Sequence, residues 1–97
     1  PGQMFKHYSP SKKLIINSIT PTKNCSFLGF SNIMPDEKFD GISLNLSNSG
    51  NLNEAASNLF KMLRFLDKTE TNEIVVAPIP NKDVGLAIND KLKRASS

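Results

Sequence analysis

The segment from residue 51 to 68, NLNEAASNLFKMLRFLDK, constrains the fold of this 97-residue chain more than any other. Its apolar side chains recur at the three- and four-residue spacing of an amphipathic helix, and Phe60 and Met62 widen the apolar stripe. The stripe consists of Leu52, Ala55, Ala56, Leu59, Leu63 and Leu66. Asn51 and Glu54 form a capping-box pattern, so we expect the helix to begin near Leu52.

Two predicted strands flank this helix, and a second helix follows. The sequence GISLNLS predicts a strand over residues 41–47, and NEIVVAPIP predicts a buried strand that Pro78 and Pro80 close. The second helix, over about residues 83–94, would direct four apolar side chains inward: Ala87, Ile88, Leu92 and Ala95. The order strand–helix–strand–helix predicts a parallel pair with a right-handed crossover, inside a small layered α/β domain.

Two further strands are predicted upstream, over residues 13–19 and 25–30. The second, CSFLGF, is nearly all apolar, which is typical of a strand buried on both faces. The link between the two strands has about five residues, too few for a crossover helix. They therefore form an antiparallel pair or are not neighbours in the sheet, and the sequence leaves both arrangements open. The predicted fold is a mainly parallel sheet of about four strands with two main helices.

The composition argues against several kinds of protein. The apolar runs of four or five residues are too short for a membrane span. Cys25 is the only cysteine, which excludes an intrachain disulfide and makes a cytoplasmic setting the default. We expect Cys25 to be a small buried hydrophobe rather than a nucleophile. One Cys and one His cannot hold a zinc ion, and no paired carboxylates or Ser-His-Asp set can be assembled. The chain does not resemble a complete enzyme.

Neither the charge nor the turn before the long helix predicts a ligand site. The net charge is +3, and many basic residues lie near the two ends: Lys6, Lys12, Lys13, Lys91, Lys93 and Arg94. Without a basic stripe interleaved with aromatic residues, we interpret them as solvated charge rather than a nucleic-acid patch. The turn NLSNSGNLNEAA lacks the glycine spacings of phosphate-binding loops, so we interpret it as a plain strand-to-helix turn.

The first ten residues, PGQMFKHYSP, hold the only His and the only Tyr of the chain. Pro10 favours extended backbone at the residue before it. In an extended segment Lys6 and Tyr8 share one face, while Phe5 and His7 share the other. The segment either packs on its own domain or is an arm that reaches a partner's pocket.

These segments, in this order, resemble the C-terminal region of bacterial threonylcarbamoyl-AMP synthases, two-domain enzymes with an N-terminal YrdC-like catalytic domain. The first ten residues are similar to the family's linker, and SFLGF and LNLSNSGNLNEAASNLFKMLRFLD to its central segments. VAPIPNKDVGLAINDKLKRAS is similar to its closing motif, although Asp83 and Val84 replace a glycine-rich turn and Lys91 replaces an arginine. The resemblance implies an interdomain linker over residues 1–12 and a Rossmann-like domain over 13–97, with the catalytic domain expected upstream of Pro1.

The resemblance also implies a reaction. The full-length enzyme would condense L-threonine, bicarbonate and ATP, with Mg²⁺, into threonylcarbamoyl-AMP and pyrophosphate, for the t6A modification at adenosine 37 of tRNA. The partner of this chain would be the YrdC-like domain in cis, which would bind those substrates. For the chain itself we expect no catalytic residue, no metal ligand, no bound cofactor, no membrane contact and no direct tRNA contact.

The resemblance further implies roles for single residues. Lys6 and Tyr8 would form a lid over the substrate pocket, and Gly2, His7 and Pro10 would anchor the linker. The residues that match the structural motifs of the family are Asn58, Gly85, Asn89, Asp90 and Arg94. Two other functions stay open: a non-catalytic module that binds RNA or protein, and a nucleotide pocket within the domain itself.

Overall fold

The structure, a computed structural model, describes residues 10–96. The described residues form six helices and strands in the predicted order. They are β1 (Lys13–Ile15), β2 (Cys25–Gly29), β3 (Ser43–Asn45), α1 (Leu52–Asp67), β4 (Glu73–Val76) and α2 (Val84–Ser96). The prediction of an α/β fold is confirmed.

The four strands form one parallel sheet in the order β1-β4-β2-β3. The first two strands are not neighbours, because β4 lies between them, with Leu14 and Ser26 each in register with Ile74. The predicted direct pairing of the strands that flank α1 is wrong, since β2 lies between β3 and β4. The reason is the length of the connection between β2 and β3. Residues 30–42 are long enough to return the chain to the starting edge of the sheet, so β3 can pair with β2 in parallel.

Both helices pack on the same face of the sheet. On β4, Ile74 and Val76 point to this face, and neither is exposed to solvent. They join the buried stripe of α1 and Ile88 and Leu92 of α2 in one core. The residues of α1 that are fully buried are Ala55, Leu59, Leu63 and Leu66, as its periodicity predicts.

The opposite face buries a smaller cluster made of Cys25, Phe27, Val75 and Ala77. Ile33 and Phe39, from the connection between β2 and β3, pack against this cluster. Strand β2 is thus buried on both faces, and Cys25 is a buried free cysteine, so both predictions are confirmed.

Two details differ from the sequence prediction. The strands are shorter than predicted because the backbone turns early, as at Asn17, which has a φ of 58° just after β1. In α2 the prediction that Ala87 points inward is wrong, because its side chain is exposed. Gly85 lies on the buried face together with Ile88 and Leu92, which sets the rotation of the helix. Between residues 10 and 96, neither helix combines the length and the apolar character needed to cross a bilayer.

Candidate functional site

The turn between β3 and α1 satisfies its own hydrogen-bonding groups. Asn51 caps the helix by accepting a hydrogen bond from the Glu54 N–H at 2.9 Å. The return bond of a capping box runs through Ser47, whose hydroxyl accepts from the Asn51 N–H at 2.9 Å and donates to the Glu54 carboxylate. Because that carboxylate occupies the first turn of α1, the geometry supports a strand-to-helix turn rather than a phosphate site.

Two asparagine side chains fasten the helices to loops that follow strands. The amide of Asn58 on α1 donates to the Leu46 carbonyl oxygen at 2.9 Å. The amide of Asn89 on α2 donates to the Ile79 carbonyl oxygen at 3.0 Å and to the Asn81 side-chain oxygen at 3.3 Å. Both contacts satisfy backbone carbonyls beyond the ends of β3 and β4, so these two amides position helices.

Gly85 lies where α2 approaches the loop after β4. A Cβ atom at this position would lie 2.0 Å from the Pro80 carbonyl oxygen, so only glycine allows the approach. Just before the helix, Asp83 has a φ of 51°, a left-handed conformation that glycine adopts without strain.

Several basic side chains named in the sequence analysis have partners on the domain. The Arg94 guanidinium forms an exposed ion pair with Asp90 at 3.0 Å, one helical turn away. The Lys91 ammonium lies 5.8 Å from the centre of the Phe60 ring. These contacts within the domain support the interpretation that the charges are ordinary surface charges.

The beginning of the described chain is held by the end of α1. The Asp67 carboxylate accepts hydrogen bonds from the Ser11 N–H at 3.1 Å and the Lys12 N–H at 3.0 Å. The Ser11 hydroxyl also donates to both carboxylate oxygens, at 3.2 and 3.3 Å. Pro10, immediately upstream, is buried. We call the contacts among Ser11, Lys12 and Asp67 the linker clamp.

The Lys12 side chain completes the linker clamp. Its ammonium donates to the Leu66 carbonyl oxygen at 3.0 Å and to the Thr69 carbonyl oxygen. Leu66 belongs to the last turn of α1 and Thr69 follows the helix, so the ammonium lies where the helix dipole favours a cation. Lys12 is therefore committed to the domain rather than to a basic surface patch.

The linker clamp changes the acidity of Asp67. Partial burial acts to raise the pKa of this carboxyl, but the hydrogen bonds from the Ser11 and Lys12 N–H groups, the Ser11 hydroxyl and the Lys12 charge outweigh burial. The pKa of Asp67 is therefore lower than its ordinary value of 3.8. The carboxylate is ionised at neutral pH and holds its partners as a charged acceptor.

A groove at one edge of the sheet is lined by charges of both signs. An open groove of about 680 Å³ runs along the edge of the sheet where the strands begin. Lys23, Lys38, Asp36 and Asp40 line it, so charges of both signs face the same space. Within residues 10–96, no three His, Cys, Asp or Glu side chains come close enough to hold a metal ion.

Comparison with known proteins identifies the family of this chain, which the geometry alone does not. The family model described as "Threonylcarbamoyl-AMP synthase, C-terminal domain" matches residues 1–97, which is the whole chain. The chain belongs to this family. Among curated proteins, a threonylcarbamoyl-AMP synthase from Pyrococcus abyssi (strain GE5 / Orsay) is 27% identical over 108 aligned residues. The alignment covers 99% of this chain and 31% of the relative, so the chain spans about a third of that protein's length.

The residues predicted to form the linker are only partly described by the structure. Gly2, Lys6, His7 and Tyr8 lie outside the described residues, and their proposed roles stay predictions. Pro10 is described and buried, next to the linker clamp. The five residues predicted to match the family's structural motifs lie on the two helices. Asn58 and Asn89 bond to loop carbonyls, and Gly85 allows α2 to approach the Pro80 carbonyl.

The linker clamp was not predicted from the sequence, in which Lys12 is one of several basic residues near the chain ends and Asp67 belongs to no predicted site. A signal was present, because an acidic residue in the last turn of a helix faces the negative end of the helix dipole. Such a residue requires compensating donors from elsewhere, and here Ser11 and Lys12 supply them. The sequence does not indicate which residues are those donors.

Proposed function

We propose that this chain is the C-terminal domain and pocket-covering linker of an L-threonylcarbamoyladenylate synthase. The whole protein would condense L-threonine, bicarbonate and ATP into threonylcarbamoyl-AMP and pyrophosphate, which supplies the t6A modification at position 37 of cytoplasmic tRNA. The observation that carries the proposal is the family match over residues 1–97, which covers the residues predicted to form the linker as well as those of the domain. The greater length of the Pyrococcus relative leaves room for a catalytic domain.

The proposal assigns the chemistry to a YrdC-like domain in cis. As the family resemblance implies, ATP and its metal ion are assigned to that catalytic domain. When bound there, ATP would supply the adenylyl group. The contribution of this chain would be to cover the pocket and to orient groups within it.

A cover over the pocket has a physical purpose in this reaction. A carbamate and an acyl-adenylate both hydrolyse readily, so excluding water protects the intermediate and the product. A segment that closes over the pocket can exclude water and complete the set of binding groups. In an extended arm, Lys6 and Tyr8 would share a face. From that face an ammonium can meet a phosphate or carboxylate, and a phenol can donate or accept a hydrogen bond.

The test uses the full-length protein. Tyr8→Phe and Lys6→Ala should each lower the rate of threonylcarbamoyl-AMP synthesis by about tenfold, because each removes one positioned polar group. The melting temperature should not change. Lys13→Ala is the matched control. Lys13 is exposed at the start of β1, and its substitution removes the same charge as Lys6→Ala. Unchanged turnover in both arm variants would refute the lid role.

A further inference from the structure

The linker clamp holds the main chain of the linker's last residues to helix α1. Two of its hydrogen bonds come from backbone N–H groups, those of Ser11 and Lys12, and the Ser11 hydroxyl adds to them. The partners are 55 and 56 positions apart in sequence, so the contact is not a local cap. Because backbone groups are held, the clamp restrains the direction of the chain itself.

The clamp acts on residues that the sheet does not fix. Strand β1 is held by its pairing with β4, and the first registered pair is Lys13 with Glu73. Ser11 and Lys12 lie upstream of that pair. Strand pairing therefore leaves the exit of the linker free, and Asp67 extends the restraint from the sheet to the linker.

The linker residues of interest lie a short distance upstream. Tyr8 is four residues from Lys12, and Lys6 is six residues away. A chain advances at most about 3.3–3.6 Å per residue, so these positions lie within roughly 14 and 22 Å of Lys12. Because so few residues separate them from the clamp, the direction of the chain at Lys12 bears on where they are placed, and misplacement of about 1 Å can already slow catalysis strongly.

We propose that Asp67 is a positioning residue for the synthesis reaction: by holding the main chain of Ser11 and Lys12, its carboxylate fixes the direction in which the linker leaves the domain toward the catalytic pocket. The inference rests on the proposed function of the linker. Asp67 touches no substrate in this scheme and acts through Lys6 and Tyr8.

The first measurement is independent of activity and of the lid role. Hydrogen exchange of the full-length protein is compared between wild type and Asp67→Ala. Exchange of the Ser11 and Lys12 amides should rise about tenfold or more, while the amides of β1 and β4 stay protected by sheet pairing. Unchanged exchange at residues 11 and 12 overturns the inference, as does equal loss of protection throughout the sheet, which indicates general destabilisation.

The second measurement is a double-mutant cycle on the synthesis rate. Asp67→Ala should lower the rate about tenfold, and Asp67→Asn, which keeps one acceptor oxygen, should recover part of it. In a Tyr8→Phe background, Asp67→Ala should cost about twofold or less, because both changes disable the same linker. Fully additive losses overturn the inference. Glu37→Ala, which removes an exposed carboxylate from the connection between β2 and β3, is the matched control and should leave the rate unchanged.

The two measurements separate this inference from the proposed function. If Lys6→Ala and Tyr8→Phe leave the rate unchanged, the lid role is refuted whatever Asp67 does. If those variants are slow and Asp67→Ala is as fast as wild type, the lid role stands and the positioning role of Asp67 is refuted.

Discussion

The Asp67 side chain connects the end of α1 to the residues just before β1. It closes α1, where a carboxylate is disfavoured by the helix dipole, and it accepts hydrogen bonds from residues 55 and 56 positions earlier. Lys12 offsets the same dipole with its ammonium on the carbonyl of Leu66. The unfavourable position of the carboxylate is thus compensated by partners that only the folded chain brings near.

The lowered pKa of Asp67 gives stability a defined pH dependence. A group whose folded pKa lies below its unfolded value stabilises the fold above the unfolded pKa, and that contribution is lost as the pH falls through the folded pKa. For Asp67 the contribution should be complete above about pH 5 and decline below about pH 4. At neutral pH, Asp67→Asn should cost about 1–2 kcal/mol, because the charge and one of the two acceptor oxygens are lost.

Urea unfolding of wild type and Asp67→Asn at neutral and at acid pH checks this prediction. The difference in unfolding free energy should be largest at neutral pH and should shrink toward about pH 2. Asp90→Asn serves as the control, because its ion pair with Arg94 is exposed at the surface and should contribute little. A difference for Asp67→Asn that stays constant across the pH range contradicts the assignment of the pKa shift to the linker clamp.

Among the elements, α1 could be predicted almost completely and β1 only roughly. The sixteen residues of α1 carry a full set of local signals, namely a 3.6-residue apolar period and an N-cap at Asn51. Strand β1 has three residues and ends where Asn17 takes a left-handed conformation, which no periodicity of so short a segment can indicate. Helix α2 lies between these cases, because its period is clear but its rotation depends on Gly85.

The sign of the stability change in Gly85→Ala separates helix propensity from steric fit. Helix propensity alone predicts that Gly85→Ala stabilises the domain by about 1 kcal/mol. The added Cβ would, however, lie 2.0 Å from the Pro80 carbonyl oxygen, which is backbone and cannot move alone. We therefore expect a loss of about 2–3 kcal/mol, since α2 must shift away from the loop.

The control for Gly85→Ala lies two residues further along the same helix. Ala87 is exposed, so Ala87→Gly reports propensity without a steric change and should cost about 0.5–1 kcal/mol. Both variants are compared with wild type by urea unfolding. A stabilising Gly85→Ala would show that the approach of α2 to Pro80 is looser than the structure has it.

For the whole molecule, the strand order could not be read from the sequence. The short link between β1 and β2 excludes a directly paired parallel arrangement of these two strands. The position of β4 between them depends on which hydrophobic faces the two helices cover together. The second face is covered in part by a loop that carries Ile33 and Phe39, which has no periodic signal. Local patterns thus specify the elements, whereas the sheet order follows from burial over the complete chain.

The linker clamp escaped prediction for the same reason. Its members, Ser11, Lys12 and Asp67, are ordinary surface residues by type, and they meet only because β1 and the end of α1 lie together in the folded domain. The resemblance to the family could be seen in the sequence because it lies in contiguous segments, and the family match over residues 1–97 agrees with it. Their contacts, such as that of Asn58 with the Leu46 carbonyl, came only from the structure.

The distribution of charge over the whole domain predicts weak binding to tRNA. Of the basic residues near the ends, Lys12 is held by α1, Lys91 lies over Phe60 and Arg94 pairs with Asp90. A protein that neutralises several phosphates shows an affinity that falls steeply with salt, by a power close to the number of contacts. Titration of the chain with tRNA at about 50 and 200 mM salt should therefore show weak binding with a shallow slope of about three phosphates or fewer. Lys93→Glu should change this salt slope little. A slope of about six phosphates or more, reduced by Lys93→Glu, would instead favour an RNA-binding module over a domain that acts by holding its linker.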